Sequence, residues 1–275
     1  MKMQVRSRRV HRVVRRLACV MAASTVTLAT VSSFAQTFGR DARSRRESPQ
    51  HFAVELRGGP YYPNIDAEFG GGATAPFRAI FGSDARVLMQ LEFDWQIVRI
   101  PPVMSLGVGA SIGFTTIQSR APITDMMTGD PSTWVRSAEN TGLQVMPFTL
   151  VAVARFDGAA RNIRWWPIVP YAKLGLAYTP WWVTNGTGIA HDQRTSPAAD
   201  AIGASFGFHM AIGLALSLEI FEPHVQRQFD ETAGVNHSYV FFELYNTSML
   251  PTSLAGSPQL NLSLLAWNAG IALEF

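Results

Sequence analysis

The 275-residue chain has one cysteine, Cys19, so it has no disulfide framework and no thiolate metal cluster. Charge is sparse at 16%, and the first sixteen residues contain no acid at all. Beyond residue 35 no apolar run reaches the roughly 18 residues that a membrane-spanning helix needs. Neither an internal repeat nor a second-domain boundary can be found. Gly70-Gly71-Gly72-Ala73-Thr74 is not followed by lysine or by a helix pattern, which removes it from the phosphate-binding loops. These absences exclude a disulfide-stapled secreted module, a helical membrane protein and a P-loop enzyme.

The acid-free amino terminus holds Lys2, Arg6, Arg8, Arg9, Arg12, Arg15 and Arg16. A serine- and threonine-diluted apolar stretch, Leu17 to Phe34, follows and closes on Ser33-Phe34-Ala35 before Gln36. That order reads as a cleaved secretory signal over residues 1–35, with an uncleaved anchor as the alternative. Arg16 stands where a lipoprotein signal requires Leu, so Cys19 is not read as a lipid attachment site. Removing seven basic residues and no acidic ones leaves 16 against 20, a mature net charge of about −4. The basic balance belongs to the export signal, and nucleic acid is excluded as a partner. Residues 36–50, with Arg40, Arg43, Arg45 and Arg46 among small polar residues, read as a disordered periplasmic tail.

Period-two alternation dominates what remains. Val87, Met89, Leu91, Phe93, Trp95 and Ile97 alternate with Leu88, Gln90, Glu92, Asp94 and Gln96. From Ile202 to Ser217 sixteen residues alternate without a break, against five or six in an ordinary globular strand. The count predicts eight strands, at 52–62, 86–97, 104–118, 142–156, 168–182, 202–217, 236–246 and 260–275. Connections 63–85, 119–141, 183–201 and 247–259 are long and 98–103 and 157–167 short; 218–235 breaks the rhythm and is read as a short capping helix. Long loops on one side and short turns on the other are the rhythm of a transmembrane barrel.

The last strand carries the most specific signal. Phe275, Leu273, Ile271 and Trp267 lie on one apolar face that ends on an aromatic carboxy-terminus. With the export signal and the strand–loop rhythm, this resembles the small bacterial outer-membrane barrels of the OmpA/OmpX/OmpW-like kind. The resemblance implies an all-β, antiparallel up-and-down barrel over residues 51–275 in the outer membrane, with Trp267, Ile271, Leu273 and Phe275 as the assembly signal. It implies contact with outer-membrane lipid and lipopolysaccharide, recognition by the barrel-assembly machinery, and a surface or periplasmic protein partner. It brings no cofactor, metal or catalytic motif.

Eight strands leave a lumen just wide enough for side chains or one small ligand. Alternation puts Glu55, Arg57, Glu92, Asp94, Arg155, Lys173, His209 and Glu243 inside, a mixed-sign set that predicts a salt-bridged plug. Trp165, Trp166, Trp181 and Trp182 flank one strand and are assigned to interfacial girdles. His237, Ser238 and Glu243 invite a hydrolase reading, but neighbouring strand residues face opposite ways. His191-Asp192 with Asp84 and Asp66 match no catalytic spacing, and the chain is read as non-enzymatic. The expected function is structural or interactive: surface loops for adhesion, envelope integrity or a surface machine. The alternative is a narrow channel or small apolar-ligand barrel, with Ala75-Pro76-Phe77 and Met126-Met127 at the mouth. A soluble sandwich is excluded if the apolar strand faces form one external belt.

Overall fold

The computed structural model describes residues 51–69, 75–100, 103–122, 135–162, 166–192, 199–218, 235–251 and 259–275. The expected signal over 1–35, the tail 36–50, the body of the 218–235 connection, Trp165 and Met126-Met127 lie outside them. All described strands fall in the compact unit Glu47–Phe275.

Eight staves form the barrel: β1 (Phe52–Tyr61), β2 (Arg86–Ile100), β3 (Met104–Pro122), β4 (Arg136–Val145 and Phe148–Arg155), β5 (Ile168–Asn185), β6 (Ile202–Ser217), β7 (His237–Met249) and β8 (Leu264–Glu274). Each pairs antiparallel with its chain neighbour, and β8 pairs with β1 from Ala53↔Glu274 to Gly58↔Ala269. The ring is therefore closed. His51 N and Phe52 N both donate to Phe275 O, and Phe275 N donates back to Phe52 O at 2.8 Å, which seals the seam at its end. Closure leaves the ring of staves without an edge strand, which a lipid environment demands because it offers no water to an unpaired N–H.

The strands differ from their sequence-derived limits for identifiable reasons. In β2 the register shifts between Gln96 and Val98. This bulge turns both Ile97 and Val98 outward, so the two-residue period is lost although the strand runs on to Ile100. β4 is broken at Met146-Pro147, where proline has no N–H to give the ladder. The ladder is bridged there by Met146 N to Pro180 O at 3.0 Å and Gly113 N to Pro147 O at 2.8 Å. β3 and β5 continue past their apolar stretch because their polar ends still pair with β4, as in Gln118↔Gly142 and Gly142↔Thr184.

The alternation sorts side chains inside out. On β2 Val87, Met89, Leu91 and Phe93 are exposed while Leu88, Gln90, Glu92 and Asp94 are buried. Leu174 and Leu176 on β5, Phe208, Met210, Ile212, Leu214 and Leu216 on β6, Val240, Phe242 and Leu244 on β7, and Leu265, Trp267 and Ile271 on β8 continue the outward set. Water would not tolerate an apolar band around a charged core, but a hydrocarbon layer requires it. The soluble-sandwich reading fails on this arrangement. The fold is an all-β outer-membrane type of barrel.

Candidate functional site: the filled lumen

Inside the ring lie three layers. The middle one is ionic. Lys173 on β5 donates to Glu55 Oε2 at 2.7 Å and to Glu92 Oε1 at 2.6 Å, and its ammonium stands 3.5 Å from Glu243 Oε2. Arg57 on β1 forks to Glu92 and, at 3.0 Å, to Glu243 Oε1, which also accepts from Asn268. Arg155 on β4 reaches Glu55 at 2.6 Å, Asp94 at 2.5 Å and Glu274 at 2.8 Å. Arg57, Glu92, Asp94 and Glu243 are all less than 2% exposed. A planar guanidinium suits such bridging, because its donors diverge toward several carboxylates at once.

Below this layer, toward the His51–Phe275 seam, Val169, Tyr171, Tyr239, Phe241 and Ala272 form an apolar floor. Tyr171 meets Phe241 edge to face at 6.3 Å, and Lys173 lies 5.2 Å over the Tyr171 ring. Above it, an apolar cap fills the mouth: Tyr61, Ile65, Phe77, Leu88, Ile117, Leu143, Val145, Trp181 and Leu262. Ile65, Phe77 and Leu262 belong to connecting segments, not staves. The short helix Pro76–Phe81 carries Phe77 inward and is tied at both ends. Asp66 accepts from Phe77 N at 2.7 Å and Arg78 N at 3.1 Å, while Arg136 donates to Ala79 O at 2.9 Å and Ile80 O at 3.2 Å. Partial burial raises the pKa of Glu68 in the same loop, opposed by a backbone hydrogen bond from Asn261.

Small cavities lie between the described layers, two of them next to the network. One, of about 10 Å³, lies at Arg155 and Tyr239; the other, of about 20 Å³, lies between His209 and Leu262. Each has room for about one water molecule. His209 bonds Thr247 Oγ1 at 3.0 Å through Nδ1 and stacks on Tyr245.

Glu55, Arg57, Glu92, Asp94, Arg155, Lys173 and Glu243 thus meet in one network, with His209 above it. Glu274, Gln96 and Asn268 belong to it as well: Gln96 donates to Glu274 at 2.9 Å. The alternation of the last strand already set Asn268 and Glu274 opposite its apolar face, and that signal could have placed them. Trp267 and Ile271 face outward, and Leu273 and Phe275 are half-buried at the seam. The girdle assignment needs correction at Trp181. Consecutive strand residues face opposite ways, so Trp181 turns into the cap while Trp182 packs outside against Phe114 at 6.4 Å. Trp166 is exposed and donates to Ile168 O.

The catalytic candidates are not assembled. Glu243 accepts from Arg57 and Asn268 at Oε1 and is ion-paired to Lys173, whereas His237 lies at the far end of β7 opposite Glu274 in register. His191 pairs with Asp200 at 2.7 Å, both more than half exposed, while Asp66 is occupied as a helix cap. Arg136→Ala is expected to free the Pro76–Phe81 helix, since its carbonyls lose their ties. Trypsin should then cut after the exposed Arg78 several-fold faster, with the heat-modifiable gel shift of the barrel unchanged. Unchanged cleavage would mean that Phe77 and the Asp66 tie seat the helix without Arg136.

No family model and no curated protein matches the sequence. Among solved structures, OprG of Pseudomonas aeruginosa aligns over 83% of this chain and 97% of its own, at 12% identity and TM-score 0.47. Ail of Yersinia pestis, solved with the heparin analogue sucrose octasulfate, aligns over 83% and 99% at 9% identity and TM-score 0.39. The outer membrane protease OmpT of Escherichia coli aligns over 82% and 94% at 7% identity and TM-score 0.33. These are bacterial outer-membrane proteins of differing roles, and none assigns a role to this chain.

Proposed function

We propose that the chain is a closed scaffold barrel of a bacterial outer membrane, non-enzymatic, whose work is done by its external loops on a surface protein partner. In this reading residues 1–35 are removed on export and residues 36–50 trail into the periplasm. The supporting observation is the three-layer filling of the lumen, with an ionic network at mid-height and an apolar cap seated by Phe77 and Leu262. A lumen with room for single waters serves neither conduction nor a ligand larger than water. What distinguishes this barrel from another is then the segments beyond the lipid. Adhesion, envelope integrity and service in a surface machine are the roles such a scaffold can take.

The channel alternative rests on the cap. Part of it, Phe77, sits on the connection carrying Ala75-Pro76-Phe77, which could lift where a stave could not. Planar-bilayer recording of the refolded chain separates the two. The scaffold reading expects a heat-modifiable protein that gives no steady current at neutral pH. Steady channels whose conductance changes in Glu92→Gln would overturn it and move the function into the lumen.

A further inference from the structure

The ionic layer does not balance. Among the described residues, Arg57, Arg155 and Lys173 are its three cations, and four buried carboxylates, Glu55, Glu92, Asp94 and Glu243, are ion-paired to them, with Glu274 bonded to Arg155 at its lower edge. A dry interior strongly disfavours a net excess of negative charge.

Part of the excess sits on Asp94. Glu55 accepts from Arg155 at Oε1 and from Lys173 at Oε2; Glu92 accepts from Lys173 at Oε1 and from Arg57 at Oε2. Asp94 accepts from Arg155 at Oδ2, but its Oδ1 has no hydrogen-bond partner although the residue is 1% exposed; Glu243 Oε2 also lacks one, but there the Lys173 ammonium stands 3.5 Å away. That oxygen hangs over Gly109 on β3. A Cβ built on Gly109 would collide with Asp94 Oδ1 and stand 3.2 Å from Glu92 Oε1, so both carboxylates overhang one point. The groups facing Asp94 are Glu92 on its own strand, Glu55 on β1, Arg155 on β4 and Lys173 on β5, with Glu274 on β8 beyond Arg155.

One oxygen from each of Glu55, Glu92 and Asp94 can be chosen so that all three lie within 4.8 Å of one another, a spacing that also suits a metal ion. Five of their six oxygens are already taken by Lys173, Arg57 and Arg155, however, and the Lys173 ammonium occupies the space between Glu55 and Glu92. A metal would need several free oxygens and no ammonium beside it. A proton needs one free oxygen and one neighbouring acceptor, which is what this cluster offers.

We propose that Asp94 is a buried proton-binding site: the folded barrel holds one proton on Asp94 Oδ1, shared with Glu92, at neutral pH. The proposal stands on the network geometry and is independent of what the loops bind. The protonated pair lets Arg155 and Lys173 serve the remaining carboxylates with less uncompensated charge. In the unfolded chain an aspartate is ionised at neutral pH, so unfolding releases this proton. Stability must then fall as pH rises, for as long as the folded pair keeps its proton.

The test uses the full chain refolded into phosphatidylcholine vesicles. Infrared spectra at pH 8, where exposed carboxyls are ionised, should retain a carboxylic-acid carbonyl band. The band should shift on carbon-13 labelling of aspartate and vanish in Asp94→Asn. Between pH 6 and 8 the unfolding constant of the wild type, divided by that of Asp94→Asn, should rise tenfold per pH unit. The ratio cancels the titrations common to both proteins. No acid band at pH 8, a band insensitive to aspartate labelling, or parallel pH profiles would each overturn the assignment. So would a wild type without the band whose stability falls on adding EDTA, because a metal ion would then supply the counter-charge. If Asp94→Asn does not fold, the labelled wild-type spectrum decides alone.

Discussion

Lys173→Met is expected to destabilise the barrel by about 3–5 kcal/mol, the usual cost of removing one partner from a buried charge network. The Lys173 ammonium hydrogen-bonds Glu55 and Glu92 and lies 3.5 Å from Glu243, and no part of its side chain is exposed. Methionine fills much the same volume, so the loss is of charge and not of packing. What it leaves is a set of carboxylates with two guanidiniums to share. Urea unfolding from lipid vesicles measures the effect, and a loss below about 1 kcal/mol, the range of exposed pairs, would mean that the lumen is wet. The double variant Lys173→Met with Glu92→Gln adds an internal control. Removing one negative charge beside the missing positive one should recover part of the loss, so the two changes combine less than additively. Arg57 can still fork between Glu243 and the side-chain amide oxygen that Glu92→Gln introduces, which keeps the comparison local.

The strand ladder and the network were readable in the sequence to different depths, and the reason is the period of two. Where it holds unbroken, as from Ile202 to Ser217, the expected and observed strands coincide. Where Ile97 bulges, or Pro147 interrupts β4, the period slips although the hydrogen bonds continue. The same rule puts Glu92, Asp94 and Lys173 inside, because a residue's face follows from counting alone. Counting cannot say which charges meet. Arg57 finds Glu243 across 186 residues only because closure sets β1 beside β8 and β8 beside β7. Nor does it find the cap, since Ile65, Phe77 and Leu262 lie in connections that have no period. The tryptophan pair at 181–182 shows the rule applied too loosely. Two adjacent aromatics cannot both face lipid on a regular strand, and Trp181 goes inward.

Gly175→Ala should be the most damaging single methyl that can be added to the chain's interior-facing positions near the network. Gly175 lies on β5 between the inward Lys173 and Ala177, opposite Val151 of β4 and His209 of β6. A Cβ there would run into the carbonyl oxygen of Leu150 and stand 2.6 Å from the Val151 Cα. Both are backbone atoms of a stave held on its other side by β3, through Val151↔Gly109 and Leu150↔Ala110. No rotamer change relieves the clash; β4 must move away from β5. The cost should exceed the range of ordinary overpacking, about 1–3 kcal/mol, and the heat-modifiable band should be lost or greatly reduced. Gly213→Ala gives the contrast. There the added carbon meets the Tyr171 ring, whose hydroxyl oxygen would lie 2.5 Å away, and a ring can tilt. Tilting weakens the Phe241 contact and the Lys173–ring contact, so a loss within about 1–3 kcal/mol is expected, and Tyr171→Leu should restore part of it. Equal, mild losses at the two glycines would show that the staves shift freely. Cavities the size of a water would then not persist in solution, and the lumen could no longer be regarded as closed.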